Sequence, residues 1–234
     1  MINVELEDTK CDFKLEEEET MTNIQRTETF LRKQFADCAY FKEHPADGEY
    51  RLQHSYRVAH AAREIARREG LDEEGLVIGG LLHDVGYSMP FEHENAWLEH
   101  GRMSARLARP FLEQLGLSPE RVQEICYGIA IHVDGEADFP GEKTPFALSI
   151  GDADDVDRFD AYRIYDAMEW ADFRNLKIED KREWLRERLD WISRRLGEKA
   201  GTETARKMIA ERLLYQRQYY EKVLEQMEHS EAIV

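Results

Sequence analysis

No stretch of this 234-residue chain approaches the roughly 18 to 20 consecutive apolar residues that a membrane-crossing helix needs, so nothing in it reads as a transmembrane segment. Its opening residues, MINVELEDTK, offer neither a basic start nor an apolar core and do not read as a signal peptide. Cysteine is scarce. Cys11, Cys38 and Cys126 are odd in number and widely spaced, with neither a disulfide framework nor metal-knuckle spacing, so a reducing cytoplasm is the expected compartment. Alternating strand patterns and internal repeats are lacking too. Positive charge is short: 32 Lys and Arg against 49 Asp and Glu leave a net charge of −17. Such a field repels DNA, RNA and anionic lipid, which makes nucleic acid and membranes poor partners. A small anionic substrate is still compatible, because metal ions inside a pocket outweigh a diffuse negative surface.

What is present is helix. A hydrophobic share of 42% with 10% aromatics is enough for one core. Residues 1–21, with EEEE at 16–19, read as an acidic tail. The spacing predicts a helix through TNIQRTETFLRKQFADCAY, capped near Thr22 or Asn23, then a loop at FKEHPADGEY. A second helix is expected from about Leu52 to Gly70, with Val58, Ala61, Ala62 and Ile65 on one face. A third is expected from an Asp72 cap through LVIGGLLHD to the glycine of VGY. A fourth, from about Asn95, carries a stripe of Trp97, His100, Ser104, Leu107, Phe111 and Leu115, with Pro110 expected to kink or break it. A fifth starts at Ser118 with Pro119 in its first turn and buries Val122, Ile125, Cys126 and Ile129. After the loop VDGEADFPGEKTP, one long helix is expected from about Phe146 to Ala171, followed by charged helices at about 179–196 and 202–228. The expectation is an all-α bundle over residues 22–172, with a C-terminal helical extension, 173–234, packing on it or serving a homo-oligomer.

Four of the eight histidines fall on apolar helix faces: His54 with Val58 and Ile65, His83 at the end of LVIGGLL, His100 before Ser104, and His132 after Ile129. One such residue is most often an ordinary hydrogen-bonded core histidine, since a buried polar group must find a partner. Four, from four helices, together with an adjacent Asp84 and a later carboxylate cluster, are satisfied at once by metal ligation.

QHSYRV at 53–58, LLHDVGY at 81–87 and GDADDVDRFD at 151–160 resemble the H…HD…D signature of the HD superfamily. EHGRMSA around His100 and AIHVDG around His132 resemble the extra histidines of its two-metal branch. The resemblance covers about residues 50–165. It implies that His54, His83, Asp84 and a last aspartate hold one metal, and that Asp84 bridges to a second ion completed by His100 and His132. By the family's pattern the last ligand is Asp154, with Asp152 as an outer partner or substitute, and residues two apart on a helix cannot both point inward.

The resemblance implies a metal-dependent phosphohydrolase, cleaving a phosphate ester of a nucleotide or another small phosphorylated metabolite with metal-activated hydroxide, and Asp84 at the catalytic centre. The mixed imidazole and carboxylate set suits two divalent ions, Fe or Mn first, with Mg, Co, Ni or Zn also compatible. Arg51, three residues before His54, and Arg158, one turn after Asp154, are the expected substrate-binding arginines. The alternative is a di-iron oxygenase acting on a small polar or phosphonate substrate, since that branch shares the six-ligand pattern. The segment after His132 lacks the HH…GYP pattern of cyclic-di-GMP phosphodiesterases. His60, His44 and His229 lie off these faces and His93 has no assigned role. The loops 86–96 and 134–145 are the expected lids.

Overall fold

A computed structural model describes residues 21–91 and 96–233; the acidic tail, Asn95 and His93 lie outside the described residues. Among these it holds ten α-helices and no strand, an all-α fold. In chain order they are α1 (Asn23–Asp37), α2 (Ala39–Glu43), α3 (Pro45–Glu69), α4 (Glu73–Leu82), α5 (His100–Leu112), α6 (Pro119–Ile131), α7 (Pro145–Arg158), α8 (Ala161–Trp170), α9 (Ile178–Arg195) and α10 (Glu203–Glu228). Helix α4 is the axis: every residue from Gly75 to Leu82 is buried, against α1, α3, α6 and α7. Each fully buried leucine or isoleucine there contributes about 1.5–3 kcal/mol of transfer free energy. The main chain of α3 passes so close that a Cβ on Gly80 would lie 3.0 Å from the Ala59 Cα. This close approach sets where the end of α4, and so His83, arrives.

Several boundaries differ from expectation. The segment PADGEY is helix, not loop, because α3 begins at Pro45. Proline in a first turn gives up an N–H that has no helical partner anyway, and Asp47 meets the positive end of the helix. Helix α4 stops at Leu82 rather than Gly86; His83 and Asp84 lie just past its end, followed by a 3₁₀ turn, Val85–Ser88. Pro110 does not break α5, which runs on to Leu112 before a 3₁₀ turn, Glu113–Leu115. Its buried face is His100, Ser104, Ala105, Ala108 and Leu112, whereas Trp97 is half exposed. The long helix expected over 146–171 is two. Phe159 closes α7, and the Asp160 carboxylate accepts the Ala161 N–H and starts α8 in a new direction.

Helices α9 and α10 build a second cluster with Phe159, Ile164 and Phe173. They are tied to the far side of α7 by Arg195 to Asp155 at 2.8 Å, and by the Gly201 N–H donating to Asp152 at 2.8 Å. Cys126 is buried in the main core, which pushes its thiol up to about 11 and leaves it neither nucleophile nor ligand. No helix among the described residues is long and apolar enough to cross a membrane.

Candidate metal centre

Three of the four inward histidines sit at helix ends: His83 after α4, His100 at the start of α5, His132 after α6. Each donates Nδ1–H to the carbonyl three residues before it. His83 reaches Gly80 and His132 reaches Ile129, both at 2.7 Å, and His100 reaches Trp97. A carbonyl can only accept, so the proton is on Nδ1 and Nε2 presents a lone pair. His54, mid-helix on α3, lacks such a carbonyl; its Nδ1–H donates to the Asp157 carboxylate at 2.7 Å. Arg57 holds the other oxygen of Asp157 at 2.6 Å.

The four Nε2 atoms converge in two pairs. His54 and His83 stand 3.1 Å apart, His100 and His132 3.0 Å. Asp84 lies between the pairs. Its Oδ2 is 3.5 and 3.6 Å from the Nε2 atoms of His54 and His83, and its Oδ1 is 3.1 and 3.7 Å from those of His100 and His132. Asp154 completes the first pair, with Oδ1 3.2 Å from His54 and 3.8 Å from His83. That oxygen is buried without a hydrogen-bond partner. Lone pairs facing lone pairs beside an unpartnered carboxylate oxygen are tolerable only with positive charge among them, and this donor set fits divalent metal.

The electrostatics agree. Burial opposes protonation of His54, yet Asp154 and Asp157 push it up to about 9, so the pocket demands positive charge at its Nε2, which a cation would supply instead of a proton. Burial pulls His83 down to about 4, keeping it a neutral donor. Asp84 is buried, but the neighbouring His83 and Arg51 hold it well below the usual carboxylate range; His54 and Arg158 do the same for Asp154.

All six residues expected as ligands therefore converge on one place: His54, Asp84, His100, His132 and Asp154 line a pocket of about 310 Å³, and fully buried His83 stands against His54 and Asp84. Arg51 is there, 2.8 Å from Asp84 Oδ2, and half-exposed Arg158 stands 3.6 Å from Asp154. Asp152 is not: it faces α10 and the Gly201 N–H, and burial pushes its carboxyl up to about 7. Accordingly, Asp154→Asn should lower the metal content of reloaded protein while Asp152→Asn keeps it, by elemental analysis after chelation. The reverse pattern would exchange the two assignments. The sequence did not single out Asp157, Arg57, Arg163 or Tyr87. Asp157 and Arg57 could have been found from their positions one turn after Asp154 and His54 on the same helix faces; Arg163 and Tyr87 are brought in by tertiary packing. His60, His44 and His229 are exposed.

Comparison with protein families gives a match to the HD domain over residues 51–162. The chain carries an HD domain. All six candidate ligands, with Arg51, Asp157 and Arg158, fall inside its bounds. A stretch of 105 residues, 41% of the chain, is 31% identical to ribonuclease Y of Mycoplasma mycoides; the match spans about a quarter of that relative, 24% of its length. The HD domain and its helical surroundings also share their fold with a crystal structure of a predicted HD superfamily hydrolase from an uncultured Thermotogales bacterium. The TM-score is 0.59, at 22% identity, covering 91% of this chain and 97% of that one.

Proposed function

We propose that this HD domain is a metal-dependent phosphohydrolase acting on a phosphate ester of a nucleotide or another small phosphorylated metabolite. The observation that carries the reading is Asp84, whose two oxygens each face one histidine pair, so that a single carboxylate can serve two ions. His54, His83 and Asp154 would complete one ion and His100 and His132 the other. Fe or Mn best suits this mixture of imidazole and carboxylate. When bound, such a pair supplies an acidified water as nucleophile and neutralises charge on the phosphoryl oxygens.

The chain's own residues do the rest. Arg51, Arg158 and Arg163 line the same pocket and present cationic donors to a phosphoryl group. Arg51 is steadied on both sides, by Asp84 and by the Tyr87 ring, whose centroid lies 3.6 Å from its guanidinium carbon. Asp157 fixes the His54 ring, and the three backbone carbonyls fix the others, so the donor atoms are in place before any ligand arrives. The small, largely buried pocket admits a phosphoryl group while the net charge of −17 disfavours a polyanion outside it.

The test is an anaerobic phosphate-release screen over nucleotides, sugar phosphates and a short RNA, with Mn, Fe(II), Mg, Co and Ni. Release that stops on chelation and returns with metal is the expected result. Silence across the panel, with two irons per chain and oxygen consumption, would replace hydrolysis by oxygenase chemistry.

A further inference from the structure

Beside the metal pocket lies a second cleft, of about 590 Å³, that the proposed reaction does not use. Its walls are rings: Tyr40, Phe41, Tyr50, Tyr87, Phe91 and Trp170. The two cavities share Arg51 and Tyr87. A second joint is Arg163, which lines the metal pocket while its guanidinium carbon lies 5.0 Å from the Trp170 ring centroid and 5.9 Å from that of Tyr50. Arg51 thus offers its cationic edge to Asp84 on the metal side while lying against the Tyr87 ring, and Arg163 lies against the Trp170 and Tyr50 rings while donating to the Tyr50 hydroxyl and facing Asp166. Trp170 is 68% exposed and Tyr40 53%, so with their neighbouring rings they leave a contiguous aromatic surface open at the cleft.

Building on the phosphohydrolase reading, we infer that this cleft seats the organic part of the substrate, and that this part is a planar nitrogen heterocycle of the nucleobase kind. The division of chemistry supports it: cations and metal ligands on one side for the phosphoryl group, aromatic faces directly adjoining for its substituent. Flat rings gain from offset stacking on several aromatic faces, a geometry that an alkyl chain cannot exploit. Asp47 supplies the remaining element. It is the acidic residue of the cleft lining, its carboxylate accepts the Tyr40 hydroxyl at 2.8 Å, and it has capacity left to accept a ring N–H or exocyclic amine. The volume is within the roughly 300–1,000 Å³ of small-molecule sites.

The experiment compares kcat/KM for adenosine 5′-monophosphate and glycerol 1-phosphate in the parent, Trp170→Ala and Phe91→Ala, with calorimetric titration of adenosine 5′-monophosphate into metal-free protein. The parent should prefer the nucleotide, and each variant should lower the ratio of the two specificity constants by about tenfold, the effect of one lost stack. A ratio near one in the parent, or one unmoved by both variants, overturns the inference and leaves phosphohydrolysis standing. No turnover of either ester, but nucleotide binding weakened about tenfold by Trp170→Ala, keeps the inference and removes the hydrolase reading. Neither turnover nor binding removes both.

Discussion

Asp84→Ala should lower kcat/KM by about a thousandfold or more and leave purified protein with little tightly held metal. The size of the effect follows from position. Among the described residues, Asp84 is the carboxylate recorded within about 4 Å of all four Nε2 atoms, so its loss would take the proposed shared ligand from both halves of the site together. It also frees Arg51, whose guanidinium would swing from its 2.8 Å contact into a pocket of four unbridged imidazoles. The fold should survive, because Asp84 follows α4 and precedes a 3₁₀ turn, and α4 itself is held by its apolar faces. Circular dichroism matching the parent, beside absent activity, is the expected pair of results. Parent-level turnover in this variant would sink the site assignment.

Asp157→Ala should weaken metal binding by about 10- to 100-fold, measured by competition with a chelator, with turnover restored in part by excess metal. Asp157 touches no ligand atom facing the pocket; it acts through the His54 ring, held at 2.7 Å, and is itself held by Arg57. Without it, His54 can rotate or take the other tautomer, and its Nε2 no longer points at Asp84 and Asp154 by default. The rescue separates the two variants. Added metal should compensate for a mispositioned ligand, whereas nothing in solution would replace a carboxylate that, on the proposed reading, both ions share. Affinity equal to the parent's in Asp157→Ala would refute the positioning role.

The sequence carried the helical class and much of the site because both obey short-range rules. His54 falls on the Val58 and Ile65 face, and His132 follows the Ile125 and Ile129 stripe, so their burial follows from helical period alone. The acidic run DADDVD was harder. Period distinguishes its faces but not which face meets α3 and which meets α10; that depends on how α9 and α10 return against α7. The start of α3 departs from the local pattern because Pro and Gly usually punctuate loops, whereas Pro45 opens a helix there. The turn at Asp160 was hidden inside an unbroken helical pattern, since an N-cap residue is also a common helix-surface residue. Arg163, Tyr87 and the aromatic cleft are products of packing between segments far apart in the chain, and no local pattern announces them.

The way the imidazoles are held has a consequence for how such a site can change by mutation. His83, His100 and His132 each lean on a peptide carbonyl of their own chain segment, an acceptor that every residue type possesses and that no single substitution deletes. Gly80, Trp97 and Ile129 could drift to other residues with the acceptor still present, provided the backbone keeps its path. His54 alone is oriented by a side chain, so one codon, that of Asp157, exposes its alignment to loss. Three quarters of the imidazole set is therefore buffered against genetic noise. The remaining quarter is where selection, or an engineer, could retune the candidate metal site without replacing any of the six proposed ligands.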